Sequence, residues 1–465
     1  MNTVGLAGSV ASTTGAADTL TPMNDTDHQH APAFPGFYDF SPRPPAVKSE
    51  CIRAYITPTN GATFAPSAQM TFELACGTPG QMIDPSQTAL SFRIVNGTAQ
   101  LIQLDKSAAC VLSQIDIFHG SRQLSSISEY NLLQQILTDF SCGCDDYKTS
   151  GTMRGVADYV PAAITTAANF TDAYYARLGA TIPAGGSLTA PTRYAEVGSR
   201  IEVGDEREAE NKAQTSLRNA GPPDISQAKE NIRIVIKLAD VLNYGKWSAA
   251  PVGTCAIDNC KIWLSYIRND PNVERKMVID LGGVVSIPCV DFIQTSTSVA
   301  AGSNYVSMPI AVRAKSATAI FVAIRKTANL GALGVFNLDR FTGGDVVGNV
   351  SYRFRIGSTI IPSSYVTAGA ESRMELMRAL GMQLSESTAR TCVSAADYLA
   401  TAFVIGVSLQ CFPMTEAMGD DLLVDSTIIL EMNLGTAQTS AIRLDAFVQM
   451  EKTLVFANGA ITFDA

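Results

Sequence analysis

From Glu50 onward, short runs with an apolar residue at every second position alternate with Gly, Pro, Asn and Ser punctuation. In Gln69–Leu74, Met70, Phe72 and Leu74 share one side of an extended chain, and Thr71 and Glu73 share the other. The same grammar predicts strands over Ser91–Val95, Ser113–Phe118, Asn231–Lys237 and Lys261–Tyr266. A second series covers Lys276–Asp280, Ala319–Ile324, Ser351–Ile356, Thr427–Met432 and Phe447–Val455. Two segments switch to helical spacing. Ser128–Phe140 places Tyr130, Leu133, Ile136, Leu137 and Phe140 on one stripe, with Ser128 positioned to cap. Glu371–Leu380 does the same with Met374, Met377 and Leu380, and Gly381 stops it.

Each half therefore carries strands, one short amphipathic helix, then more strands, without repeating at a fixed period. The pattern predicts an all-β chain of two β-sandwich domains. The absence of a strand–helix–strand rhythm disfavours a doubly wound α/β enzyme. The domains are expected over 48–268 and 273–465, joined at the turn signal Asn269–Asn272. Residues 145–230 alternate little and are expected to be a long insertion, with the polar stretch Gly204–Gln214 as an exposed helix or loop.

Residues 1–47 predict an extended N-terminal arm. Their first part is rich in Gly, Ala, Ser and Thr, and the prolines of the stretch that follows forbid regular structure. Phe34, Phe37, Tyr38 and Phe40 give that arm an aromatic block suited to docking on a neighbour, the alternative being packing on its own domain. No Lys or Arg precedes Arg43, so a basic genome-binding arm is excluded.

Composition narrows the picture further. The 465 residues are 46% hydrophobic and 17% charged, against about 25% charged in an average soluble domain. A chain of this kind buries a large core, and its low charge points to surface that faces other protein. The net charge of −9 argues against a dedicated nucleic-acid binder, which needs clustered Lys and Arg. The first residues lack the basic and apolar segments of a secretory signal. The longest apolar run, Tyr398–Val407, falls well short of the ~20 residues of a spanning helix. Cys51, Cys76, Cys110, Cys142, Cys144, Cys255, Cys260, Cys289, Cys392 and Cys411 are expected to be buried thiols of a reducing compartment.

No constellation of residues along the chain has the pattern of an active site. Gly343–Gly348 has phosphate-loop glycines, but Asn349 and Val350 stand where Lys and Ser or Thr must reach phosphate and Mg²⁺. Of three histidines, His28 and His30 sit in the arm, and His119 is expected at a turn or interface. Cys142-Gly-Cys144 and Cys255-x4-Cys260 lack the C-x2-C spacing of zinc sites. The adjacent pairs Asp145/Asp146 and Asp420/Asp421 fall in loops, where carboxylates are solvated rather than held across a cleft. The sequons at Asn96 and Asn169 carry no weight without secretion. No catalytic residue, cofactor or metal is expected.

The segment Leu104–Gly120, followed by Ile127–Leu133 and Leu137, resembles the first-barrel signature of double jelly-roll major capsid proteins. The likeness is greatest to those of polinton-like viruses and virophages, small double-stranded DNA viruses of eukaryotes, where a strand leads into a helix carrying Tyr-Asn, here Tyr130 and Asn131. Tyr352–Pro362 with the helix to Leu380 is similar to the family's strand, Gly, strand, Pro, helix block, and Phe403–Gln410 with the loop to Asp425 to its late strand and turn. The chain is somewhat short for the family, and residues 145–230 match nothing in its pattern, which leaves the outer decoration open.

The resemblance implies two consecutive eight-stranded jelly rolls and a homotrimer whose six barrels form a pseudo-hexameric capsomer. Such capsomers tile an icosahedral virion shell by architecture alone. It implies neighbouring capsomers, penton proteins and minor or cement proteins as partners, with no direct nucleic-acid contact. Synthesis would take place in the host cytoplasm or nucleus. Phe34, Phe37, Tyr38 and Phe40 would then serve as an inner clamp, and contact with an internal membrane stays open. The alternative is another β-sandwich structural protein: a minor capsid protein, a spike or an adhesin. A jelly-roll enzyme of the cupin kind needs more histidines than this chain has.

Overall fold

The computed structural model describes residues 50–76, 81–105, 107–141, 181–182, 184–185, 187–193, 230–268, 284–312, 314, 316–340, 350–381, 393, 395–410, 427–435, 438–457 and 460–464. Ser49–Ala465 forms one compact unit. Outside the described residues lie Phe34, Phe37, Tyr38, Phe40, His28, His30, Cys142, Cys144, Cys392, Cys411 and the four paired aspartates. So do Asn169, Gly204–Gln214, Asn269–Asn272, Lys276–Asp280 and Gly343–Gly348.

The first half contains β1 (Glu50–Ile56), β2 (Thr63–Phe64), β3 (Gln69–Leu74), β4 (Gln81–Thr98), β5 (Ile102–Leu104), β6 (Leu112–His119) and β7 (Arg122–Ser128). Helix α1 (Tyr130–Ser141) follows, then β8 (Thr181–Ile182), β9 (Ser187–Arg193), β10 (Ile232–Leu238), β11 (Gly245–Trp247) and β12 (Gly253–Arg268). The second half contains β13 (Val284–Val299), β14 (Tyr305–Ile310), β15 (Ala317–Lys326), β16 (Ser351–Ile356), β17 (Thr359–Thr367) and α2 (Ala370–Ala379). It ends with α3 (Ala395–Ala400), β18 (Val404–Ser408), β19 (Ile428–Asn433), β20 (Ile442–Ala457) and β21 (Ala460–Asp464).

Strand pairing repeats between the halves. The first half stacks a β1-β12-β4-β9 sheet, with β2 added on β12, against β3-β10-β6-β7. The second stacks β13-β20-β15-β18, with β21 added on β20, against β14-β19-β16-β17. In each half the first strand pairs with the long late strand, β1 with β12 and β13 with β20, so both ends of each half's segment lie side by side in one sheet. A small β11-β5-β8 sheet flanks the first half. Among the described residues, no strand of one half pairs with a strand of the other.

The core follows from the alternation. Met70, Phe72, Leu90, Phe92, Ile94, Ile236, Ile257 and Ile262 fill the first sandwich, and Met308, Ile310, Tyr352, Phe354, Leu430 and Met432 contribute to the second. Burying each such side chain contributes about 1.5–3 kcal/mol. Gly406 of β18 lets α2 lie against the sheet, because a Cβ there would stand 2.7 Å from the Leu376 Cα.

Several sequence expectations need correction. Ser128 does not cap α1; it ends β7, opposite Gln114. Glu129 follows it in the left-handed region (φ 50), and its carbonyl accepts from the Leu132 and Leu133 amides at 3.0 and 3.1 Å. Residues 145–230 are not wholly an insertion. β9 lies within them and pairs with β4 from Ala89↔Arg193 to Val95↔Ser187. As an edge strand β9 tolerates Pro191, and its sequence SLTAPTR carries no alternation to detect. The apolar run Tyr398–Val407 is divided between α3 and β18.

Candidate functional site: a buried junction and its open counterparts

The described residues hold no cluster of three or more metal-ligating side chains. His119, the last residue of β6, is buried beside Arg122 and Ile232, and its Nε2 has no hydrogen-bond partner among the described residues. Cys255 and Cys260 are buried on β12. Burial pushes their thiols up to about 11 and about 12, so they are protonated, inert packing groups at neutral pH. Cys110 and Cys289 are buried too, but the expectation of buried thiols fails at Cys51, which is exposed on β1, and Cys76 is only half-buried. Cys51 sits outward because β1 is an edge strand and its Sγ lies 3.2 Å from Ser265 Oγ.

The chemistry concentrates where the halves meet. Glu129, at the β7–α1 corner, reaches Arg325 of β15 at 3.0 Å and Arg443 of β20 at 2.9 Å. Asp445 completes the group, 2.6 Å from Arg325 and 2.9 Å from Arg443, and Gln294 donates to it at 3.2 Å. Burial pushes the Glu129 carboxyl up, but the two guanidiniums outweigh this and hold it below the ordinary carboxylate value. Burial disfavours charge on Arg325 in turn, and Asp445 and Glu129 more than restore it. Further along, Asp139 of α1 pairs with Arg340, both completely buried. Ser125 of β7 donates to Asp291 at 2.7 Å, which also takes Lys452 at 2.6 Å. The Leu338 amide donates to Asp105 at 2.6 Å, Asn337 to the Leu242 carbonyl at 3.0 Å, and the Trp247 amide to the Leu333 carbonyl at 2.8 Å. Ile117 and Leu124 pack with Phe456 and Ile461, and Phe140 meets Tyr398 edge-on at 5.9 Å.

Of the helix residues singled out from the sequence, Leu133, Ile136 and Leu137 are buried. Tyr130 is half-buried and donates to Gln134 Oε1 at 3.2 Å. Met377 and Leu380 are buried, and Met374 is half-buried. Asn131 is buried and donates to the Cys110 carbonyl at 3.2 Å, tying α1 to the turn before β6. Sequence reasoning missed Glu129, Asp139, Arg325, Arg340, Arg443 and Asp445. One signal was present: the polar side of α1 is built from Gln134, Gln135 and Thr138 rather than from Lys and Glu, the mark of a helix covered all round.

Among the described residues, two surfaces pair exposed apolar side chains with a cation. On the outer face of β1, β12 and β4, Tyr55 and Trp263 are 52% and 43% exposed, with ring centroids 5.3 Å apart. Lys261 lies over Tyr55 at 4.8 Å, and Arg93 clasps Asp258 through two hydrogen bonds of 2.7 and 2.6 Å. In the second half, Ile360 and Tyr365 of β17 are 37% and 40% exposed, and Arg353 lies over Tyr365 at 4.4 Å.

The twofold repetition of these sheet orders defines a double jelly roll. No protein-family model matches the sequence, and no curated protein matches it. Solved structures do. PBCV-1 VP54, fitted into a cryo-EM reconstruction of the virophage Sputnik, superposes with a TM-score of 0.59 at 11% identity, over 92% of this chain and 99% of that one. The cryo-EM structure of the Sputnik virophage gives 0.55 at 9% identity, covering 93% and 92%. The Faustovirus major capsid protein gives 0.51 at 9% identity, covering 90% and 92%. The likeness to double jelly-roll capsid proteins, expected from the Leu104–Leu137 and Tyr352–Gln410 segments, is thus met by the fold.

Proposed function

We propose that this chain is a major capsid protein that assembles as a homotrimeric, pseudo-hexameric capsomer in the icosahedral shell of a double-stranded DNA virus. The observation that carries the reading is the superposition on VP54 over 92% of this chain and 99% of that one. Two sandwiches per chain, locked by buried ion pairs, make one rigid tile with two similar lobes, and three such tiles supply six lobes around an axis. The role is architectural, without catalysis. The partners are further copies, neighbouring capsomers, and penton and minor or cement proteins. The site of action is the virion shell, after synthesis in the host cytoplasm or nucleus. Residues 48–268 and 273–465 serve as the two lobes. Phe34, Phe37, Tyr38 and Phe40 serve as an assembly clamp, whereas Tyr130, Leu133, Ile136, Leu137, Met374, Met377 and Leu380 hold the helices to their sandwiches.

Light scattering on the purified, reduced chain tests this. A dilution-resistant species of three times 49.4 kDa, with a hexagonal outline in electron microscopy, is expected. A monomer at every concentration overturns it. Deleting residues 1–40 is expected to leave that trimer intact and to impair shell assembly; loss of the trimer counts against the clamp.

A further inference from the structure

The halves of one chain meet through a contact of defined polarity. The β7–α1 corner of the first lies across the outer face of the β13-β20-β15 sheet of the second, with Glu129 on Arg325 and Arg443 and Ser125 on Asp291. A head-to-tail contact of this kind uses one surface of each half and leaves the complementary surface of each unused. By strand order, the unused pair is the β17–α2 corner of the second half and the outer face of β1-β12-β4 in the first.

Those two surfaces carry four of the exposed large apolar side chains among the described residues, the others being Val252, Tyr305, Leu333 and Leu399. Ile360 and Tyr365 stand on β17, and Tyr55 and Trp263 on β1 and β12. The comparison holds strand by strand. β7 buries Leu124 and Ser125 back to back, as a strand covered on both sides must, whereas β17 leaves Ser363, Ser364 and Tyr365 exposed in succession. Helix α1 is buried on its polar side by Gln135, Thr138 and Asp139, while α2 leaves Glu371 and Arg378 exposed. One opposite-charge match is present, the cations near the corner, Arg353 and Arg378, being held by their own glutamates Glu431 and Glu375. Arg53 and Lys261 lie on the open sheet, and Glu371 stands at the β17–α2 corner, where its carboxylate accepts the Thr367 amide at 3.0 Å.

We propose that the Tyr55–Trp263–Lys261 face is the seat for the β17–α2 corner of a second copy of this chain, led by Ile360, Tyr365 and Glu371. The contact between copies then repeats the one within a copy, and the chain closes head to tail. This rests on the trimeric reading above and adds the surface that makes the trimer.

The test uses two full-length variants, Tyr55→Glu/Trp263→Glu and Ile360→Glu/Tyr365→Glu, whose changes fall on exposed positions. Each alone is expected to keep the wild-type circular dichroism spectrum and to sediment as a monomer, with association weakened by about 100-fold or more. Mixed together, they are expected to form a 1:1 pair and nothing larger, because each retains the surface the other has lost. Either double variant remaining trimeric, or a mixture that stays monomeric, overturns the proposal while a trimeric wild type keeps the capsomer reading intact. A monomeric wild type overturns both. Should either double variant misfold, Lys261→Glu and Glu371→Lys decide instead. Each is expected to weaken association about tenfold and the combined variant to restore it. Absence of that restoration overturns the proposal.

Discussion

β4 and β15 hold the same place in the same sheet of the two halves, yet their surroundings differ. β4 buries Leu90, Phe92, Ile94 and Asn96 and leaves Ser91, Arg93 and Val95 between them partly or fully exposed. β15 is buried at nine consecutive positions. β20 likewise buries five residues running from Leu444 to Val448, where its counterpart β12 largely alternates. The second-half sheet is covered on its outer face by α2 and by the Glu129 corner; the first-half sheet awaits a cover. The two faces are made of different chemistry. The covered one uses buried ion pairs, which are costly to leave unmade and are never unmade within a single chain. The open one uses Tyr and Trp, which tolerate water before assembly and bury large areas afterwards. A permanent junction can rely on charge, while a surface that must first exist free relies on amphipathic rings.

The comparison can be broken hardest at α1. Leu133→Asp puts an unpaired charge into a completely buried position of the junction helix, so no soluble folded protein is expected on expression. The same change at half-buried Met374 of α2 is expected to leave a soluble folded chain with a lowered melting temperature. Next in size, Asp139→Ala leaves the buried Arg340 guanidinium uncompensated, and a loss of about 3–5 kcal/mol is expected in urea unfolding of the variant. An unchanged midpoint would show that the pair contributes nothing to joining the halves.

Acid gives a smaller and reversible effect. The Glu129 carboxyl is held below its ordinary value of 4.5 in the folded chain, so its contribution to stability is fully present above pH 4.5 and is lost as pH falls through the lower folded value. A melting temperature that flattens above pH 5 and drops below pH 4.5 is expected, with the drop blunted in Glu129→Gln. The smallest effect belongs to the open face. Tyr55→Ala and Trp263→Ala are each expected to cost the isolated chain about 1 kcal/mol, because the rings are only partly covered there, by each other and by the Trp263 indole's bond to Ser91 Oγ at 2.9 Å. A thermal melt below the association concentration measures it.

Much of the fold was readable in the order of residues. The alternation of Gln69–Leu74 and Ser351–Ile356 marks β3 and β16 to the residue, and the Leu133–Ile136–Leu137 stripe marks α1. Strand and helix periods are local, so local sequence reports them. The uninterrupted apolar run of β15 even carried the news that its sheet is covered twice. β9 was not legible, because an edge strand needs only backbone groups facing a neighbour and its Pro191 breaks no required bond. Nor was the junction. Glu129 lies 196 residues from Arg325 and 314 from Arg443, and no short-range pattern links them. By itself the sequence determined an all-β chain of two similar sandwiches, since burial and periodicity are properties of neighbours along the chain. Which sheet is covered, which charges are buried in pairs, and which aromatics remain free were decided only when the chain folded and brought distant residues within ångströms of one another.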